Sequence, residues 1–119
     1  MRRQGFYLAF AVAIAAPSVE AKTKPEEGLA SWYSETGHLT ASGEHFDRRR
    51  LTAAHRSLPF GSVIVVTNIK NGRKVIVTVN DRGPYWKNRI IDLSPAAAAV
   101  LGMRKKGIAF VKVRPAEFE

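Results

Sequence analysis

The 119-residue chain carries 19 lysines and arginines against 10 aspartates and glutamates, a formal charge of +9, and no cysteine. That size allows one small domain with a modest core. The lack of cysteine excludes a disulfide framework, a thiolate nucleophile, a cysteine zinc site and a lipid-attachment cysteine, and the charge favours an anionic partner.

Residues 1–21 have the order of a secretory signal: Arg2 and Arg3, then an apolar run from Gly5 to Ala16, then Val19-Glu20-Ala21 as the cleavage pattern. The run is too short for a stable membrane-spanning helix, and no later stretch is longer. The expectation is an exported, periplasmic or secreted monomer without lipid anchor or transmembrane segment, cut after Ala21. Losing Arg2, Arg3 and Glu20 leaves a formal charge of +8. Export makes nucleic acid the least suitable anion and favours an acidic envelope polymer.

Residues 22–27, with Pro25 and no apolar periodicity, read as a flexible leader, and residues 28–115 as the domain. Residues 116–119 form a tail. Gly28 to Ser34 reads as a first strand, and Glu35 to Asp47, with Gly37 and Gly43, as a loop carrying polar side chains. The clearest element is Ser62 to Asp81, two β-branched runs flanking Asn71-Gly72, which predicts a hairpin with a two-residue type I′ turn. Val63 to Val66 are apolar without alternation, so both faces of that strand are expected to be buried. Ser94 as N-cap, Pro95 at the first helical position, a run of alanines and Gly102 as terminator predict a short helix. Ile108 to Arg114 returns as a strand. The sum is a mainly β fold, a barrel of about six strands with one or two short helices.

Acids are scarce in this domain: Glu35, Glu44, Asp47, Asp81 and Asp92. Four of them lie in three polar stretches, Gly43 to His55, Asn80 to Pro84 and Ile91 to Ser94, which a closed barrel can bring together at one mouth. Each has a plain structural alternative. Asp81 can start a turn, Asp92 can help cap the helix, Glu44 and Asp47 can belong to a solvated loop, and His55 can be a satisfied, half-buried side chain. Arginines 48–50 beside Asp47, and Arg82 beside Asp81, should keep both acids ionised, whereas Ile90, Ile91 and Leu93 around Asp92 should desolvate it and favour a proton donor. Carboxyls in unlike environments are what glycosidic bond cleavage uses. Trp32, Tyr33, Tyr85 and Trp86 offer rings for stacking on sugars, with core packing the alternative for Trp32. Arg48 to Arg50 and Arg104 to Lys106 read as solvated basic faces that also attract an anionic polymer.

The segments G-L-A-S-W-Y, S-G-E-H-F-D, L-T-A-A-H-R-S-L-P-F-G-S, V-N-D-R-G-P and R-I-I-D-L-S closely resemble the rare lipoprotein A family, septal-ring lytic transglycosylases with a double-psi β-barrel. The likeness runs from Gly28 to Val113. It implies cleavage of the MurNAc-GlcNAc β-1,4 bond in peptidoglycan glycan strands poor in stem peptides. The MurNAc C6 hydroxyl attacks its own C1 and leaves a 1,6-anhydro end, a reaction that calls for no cofactor, metal or external water. By motif, the resemblance implies Glu44, Asp47, His55, Asp81 and Asp92 as functional residues. Separately, Arg82 and the four aromatics are the expected substrate contacts. The competing readings are an expansin-like module that binds or loosens wall polysaccharide without cutting it, and an inhibitor or effector acting on a foreign wall.

Overall fold

The computed structural model describes residues 24–34 and 37–118, so the signal-peptide reading of residues 1–21 lies outside the described residues. Six strands, β1 (Glu26–Trp32), β2 (Thr52–His55), β3 (Val63–Asn68), β4 (Lys74–Asp81), β5 (Arg89–Leu93) and β6 (Ile108–Pro115), close into a barrel in the order β1-β5-β2-β4-β3-β6. The β1/β5 and β2/β4 pairs are parallel and the other four antiparallel. Closure leaves no free sheet edge, which suits a small domain without disulfides. The result is the six-stranded, mainly β barrel expected from the sequence, a double-psi arrangement with one α-helix and a final 3₁₀ turn at Ala116–Phe118.

Alternation along each strand fills the interior. Ala30, Ala53, Val79, Ile91 and Leu93 point inward and are fully covered, as are Ile64 and Val66 of β3. Val65 is covered from outside, but Val63 is exposed, so only part of β3 is buried on both faces.

Three local expectations change. The first strand begins at Glu26, so Glu26 and Glu27 pair with Val113 and Lys112 of β6 and do not belong to a leader. The hairpin connects through Ile69 to Arg73, and only Gly72 (φ 77°) is left-handed, so the two-residue type I′ turn is not formed. Asn71 serves as a side-chain clasp. Its Oδ1 accepts from the Arg73 N–H at 2.9 Å, and its Nδ2 donates to the Leu101 carbonyl at 3.0 Å. The predicted loop after β1 also has its own order, a small hairpin with a bridge between Leu39 and His45 that buries Phe46 and Thr40.

The helix α1 (Pro95–Leu101) follows β5 and has the ends the sequence indicates, Ser94 as N-cap and Gly102 left-handed at φ 71°. Asn68 Nδ2 also donates to the Leu101 carbonyl, so two hairpin side chains cap the helix C-terminus. Ser94, wholly buried, accepts from the Ala97 N–H at 3.2 Å and donates to the Arg50 carbonyl at 2.7 Å. It therefore ties the helix start to the segment before β2. Ser94→Ala removes the cap and strands the Arg50 carbonyl, and should lower unfolding stability by about 2 kcal/mol in urea titration; an unchanged midpoint would show that the cap carries no weight.

Candidate active site

The polar residues come together on the outside of the barrel wall, not at a mouth. In β2, Ala53 points inward opposite Val79 and Leu93, so Ala54 points outward. Its partner on β5 is Asp92, and Asp92 in turn pairs with Ser31 on β1. On β4 the register slips by one residue, so that Ala53 faces Val79 but Ala54 faces Asp81. Such a slip sets two residues against one and re-aims their side chains. Without it Asp81 would point with Val79 into the core. The outcome is a row across four strands: Ser31, Asp92, Ala54, Asp81. Two strand spacings put the two aspartate backbones about 10 Å apart, with only a methyl group between them.

Asp92 is half-buried, and its sequence neighbours Ile91 and Leu93 point into the barrel, so they do not surround its carboxyl as the sequence suggested. What touches it is the Ser31 hydroxyl, which donates to Oδ1 in a short contact. On its open side it helps line a groove of about 450 Å³ with Arg82, Gly83, Pro84, Tyr85 and Trp86. Tyr85 and Trp86 are 78% and 72% exposed, so both rings are open to solvent along this groove. The loop that carries them is clamped by Arg56, whose Nε donates to the Pro84 carbonyl at 2.7 Å and whose Nη2 reaches the carbonyls of Trp86 and Arg89. Nothing in the sequence pattern singled out Arg56.

Asp81 is held by backbone. Its Oδ1 accepts from the N–H groups of Ala41 and Arg82, both at 2.9 Å, and His38 Nε2 lies 3.7 Å from Oδ2. The Arg82 guanidinium turns away, donating to the His55 carbonyl at 3.2 Å and lying 4.0 Å over the Phe60 ring. Glu44 joins through the extra residue of the register slip: its Oε1 accepts from Asn80 Nδ2 at 3.0 Å. The 37–46 hairpin makes these contacts possible because Ser42 N–H bonds the Asn80 carbonyl at 3.2 Å and the loop lies over the end of β4.

Tyr33 does not present its face to a sugar. Its ring stacks on Phe46 at 4.7 Å, and Phe46 stacks on His38 at 5.1 Å. Burial first, then the charges of Asp81 and Asp92, push its phenol well above the ordinary 10, so it stays protonated. Trp32 packs against the core, with the Arg104 guanidinium 5.3 Å over its ring. The alternation in L-A-S-W, with Ala30 inside, was the signal that could have found Ser31; none pointed to His38.

Asp47 and His55 stand apart from this row. Asp47 accepts from the Arg49 N–H at 2.9 Å and pairs with its Nε at 3.2 Å, and these bonds hold its carboxyl below the ordinary range. It lines a separate depression with residues 45–50. His55 is 4% exposed. Its Nδ1 accepts from the N–H groups of Ser57 and Leu58, each at 3.1 Å, which places the ring proton on Nε2, donating to Glu26 at 2.8 Å. Both nitrogens are thus occupied in pinning β1 and the turn after β2. Among the described residues no group of three or more His, Asp or Glu is placed to hold a metal ion.

Residues 25–113 match the protein-family model described as "Lytic transglycolase". The chain belongs to that family. Over 93 residues it is 56% identical to a Treponema pallidum (strain Nichols) protein named "Probable endolytic peptidoglycan transglycosylase RlpA", covering 76% of this chain and 29% of that one. Over 96 residues it is 49% identical to the Haemophilus influenzae "Endolytic peptidoglycan transglycosylase RlpA", covering 79% and 33%. The chain therefore spans about a third of the length of these curated relatives. Among solved structures, a Clavibacter michiganensis expansin superposes with a TM-score of 0.63 at 25% identity, covering 78% of this chain and 50% of that one.

Two outcomes follow for this lytic transglycolase domain. His55→Ala should lower stability by about 2–3 kcal/mol in urea titration, since it opens a cavity and frees two N–H groups; an unchanged midpoint would show that these bonds carry no weight. Because the Tyr33 phenol is raised in the folded state, its contribution is intact below the unfolded value of 10.0 and is lost as pH rises beyond it. Denaturant titrations should show stability falling from about pH 10 upward, less steeply in Tyr33→Phe.

Proposed function

We propose that this domain is an endolytic peptidoglycan lytic transglycosylase, cutting MurNAc-GlcNAc β-1,4 bonds in strands poor in stem peptides and leaving 1,6-anhydro-MurNAc ends. The observation that carries the reading is the placement of Asp92 on an aromatic-lined groove with Asp81 two strands away across Ala54. The names of the relatives, at about half identity over the whole barrel, give the substrate class.

In this scheme the Asp92 carboxyl gives its proton to the GlcNAc O4 as the C1–O4 bond breaks. MurNAc O6 bonds to C1, and its proton passes to Asp81, oriented by two backbone N–H groups. Water is not consumed, and solvent exchange resets the two carboxyls. Ser31 and the Glu44–Asn80 pair position the row. Tyr85 and Trp86 stack on the sugars, and the excess of positive charge draws in a strand whose MurNAc units carry free lactyl carboxylates. Export rests on the charged, apolar and cleavage segments of residues 1–21.

The expansin likeness supports a second reading, binding of wall polysaccharide without bond cleavage. Mass spectrometry of digested peptide-free strands separates the two. The enzyme reading predicts 1,6-anhydro-MurNAc products, reduced by roughly a hundredfold or more in Asp92→Asn. Absence of such products at high protein load, with retained glycan binding, would establish the binding module instead.

A further inference from the structure

A second groove, of about 620 Å³, shares no lining residue with the one at Asp92. Its floor is apolar. Leu29 of β1 stands opposite the half-exposed Phe110 of β6, and Ile90 lies across Gly28, where a Cβ would come within 2.7 Å of its Cγ2. Ile90 takes that place because the β1/β5 register slips between Leu29 and Ala30, which leaves it as an extra residue of β5. The rim is polar, with Asn88, Arg56 and Glu27, the last having Lys112 opposite it on β6.

This groove adjoins the proposed site. Ala30 points inward, so Leu29 and Ser31 share the outer side of β1: Leu29 lines the groove, and Ser31 holds Asp92. The step between them is two strand residues, about 6.6 Å, of the order of one pyranose unit. A strand cut internally has sugars on both sides of the bond, and a chain leaving Asp92 along β1 meets this groove next. Its lining suits a pyranose, whose C–H face packs on the Phe110 ring while its hydroxyls meet Asn88 and Glu27. Arg56 adds a charge. Its Nε and Nη2 are bonded to neutral carbonyls of the 84–89 segment, and among the described residues no carboxylate pairs with it. We infer that the groove between Phe110 and Arg56 is a glycan subsite outside the scissile bond, taking a MurNAc unit whose lactyl carboxylate meets the Arg56 guanidinium. The inference rests on the transglycosylase reading for the identity of the glycan.

Calorimetry in an Asp92→Asn background, which keeps the ligand uncut, tests this with two probes: a peptide-free MurNAc-GlcNAc octasaccharide, and a GlcNAc octasaccharide that lacks lactyl groups. Phe110→Ala should weaken binding of the first by about tenfold. Asn88→Gly keeps the left-handed backbone of that position (φ 70°) and removes the amide, and should weaken it by about threefold. Arg56→Gln should cut the preference for the first probe over the second by about threefold. Lys106→Gln, which removes the same charge from an exposed face elsewhere, should leave that preference unchanged. A folded Phe110→Ala variant with the affinity of its background overturns the subsite; should that variant not fold, Asn88→Gly decides by the same comparison. A preference unchanged in Arg56→Gln overturns the lactyl contact, and octasaccharide binding too weak to measure without any of these substitutions overturns the inference as a whole. Binding is read without cleavage, so failure of the parent protein to make anhydro products sinks the transglycosylase reading alone.

Discussion

The slip of one residue between β2 and β4 determines which side chains reach the groove. In regular pairing, Asp81 would share the inward direction of Val77 and Val79 and would place a carboxylate in the core, where an unpaired charge is prohibitively costly. The slip turns Asp81 out beside Ala54 and adds Asn80 to the same side, where it holds Glu44. Because β2 is also paired with β5, the same Ala54 brings Asp92 into line. A closed barrel makes this placement rigid, since every strand in the row is fixed on both sides.

Local chemistry was readable in advance and long-range register was not. The helix ends were legible because Ser94, Pro95 and Gly102 each act on their own backbone, and the β3–β4 hairpin because β-branched runs and a turn lie within twenty residues. The turn type misled, since Asn71 has a better use in capping the helix across 30 residues of sequence. Strands β2 and β5 were missed: Thr52 to His55 are all buried and show no alternation to distinguish them from a loop, and Arg89 to Leu93 is five residues with a central apolar run. The choice of Asp92 and Asp81 as site residues came from their scarcity and from the family likeness. Their relation through Ala54 depends on pairings far apart in sequence that no periodicity encodes.

Charge reasoning along the chain was right where the partner is a neighbour and wrong where the strand separates neighbours. Asp47 is held by Arg49 two residues away, as adjacency suggested. Asp92 is flanked by isoleucine and leucine in sequence but not in space, because successive strand residues face opposite sides. Arg82, next to Asp81, sends its guanidinium to the His55 carbonyl and the Phe60 ring. His55 and Glu26 form a brace that ties the start of β1 to the end of β2, which gives a conspicuous histidine a structural role.

The central claim is that Asp81 and Asp92 act as one unit across Ala54. Its most direct test is a double-mutant cycle on 1,6-anhydro product formation from peptide-free glycan strands, using Asp81→Asn, Asp92→Asn and the combined variant. Groups that act together are strongly non-additive, so the double variant should be no slower than the slower single variant. Losses that multiply, or an Asp92→Asn protein that retains the parent rate, would contradict the pairing.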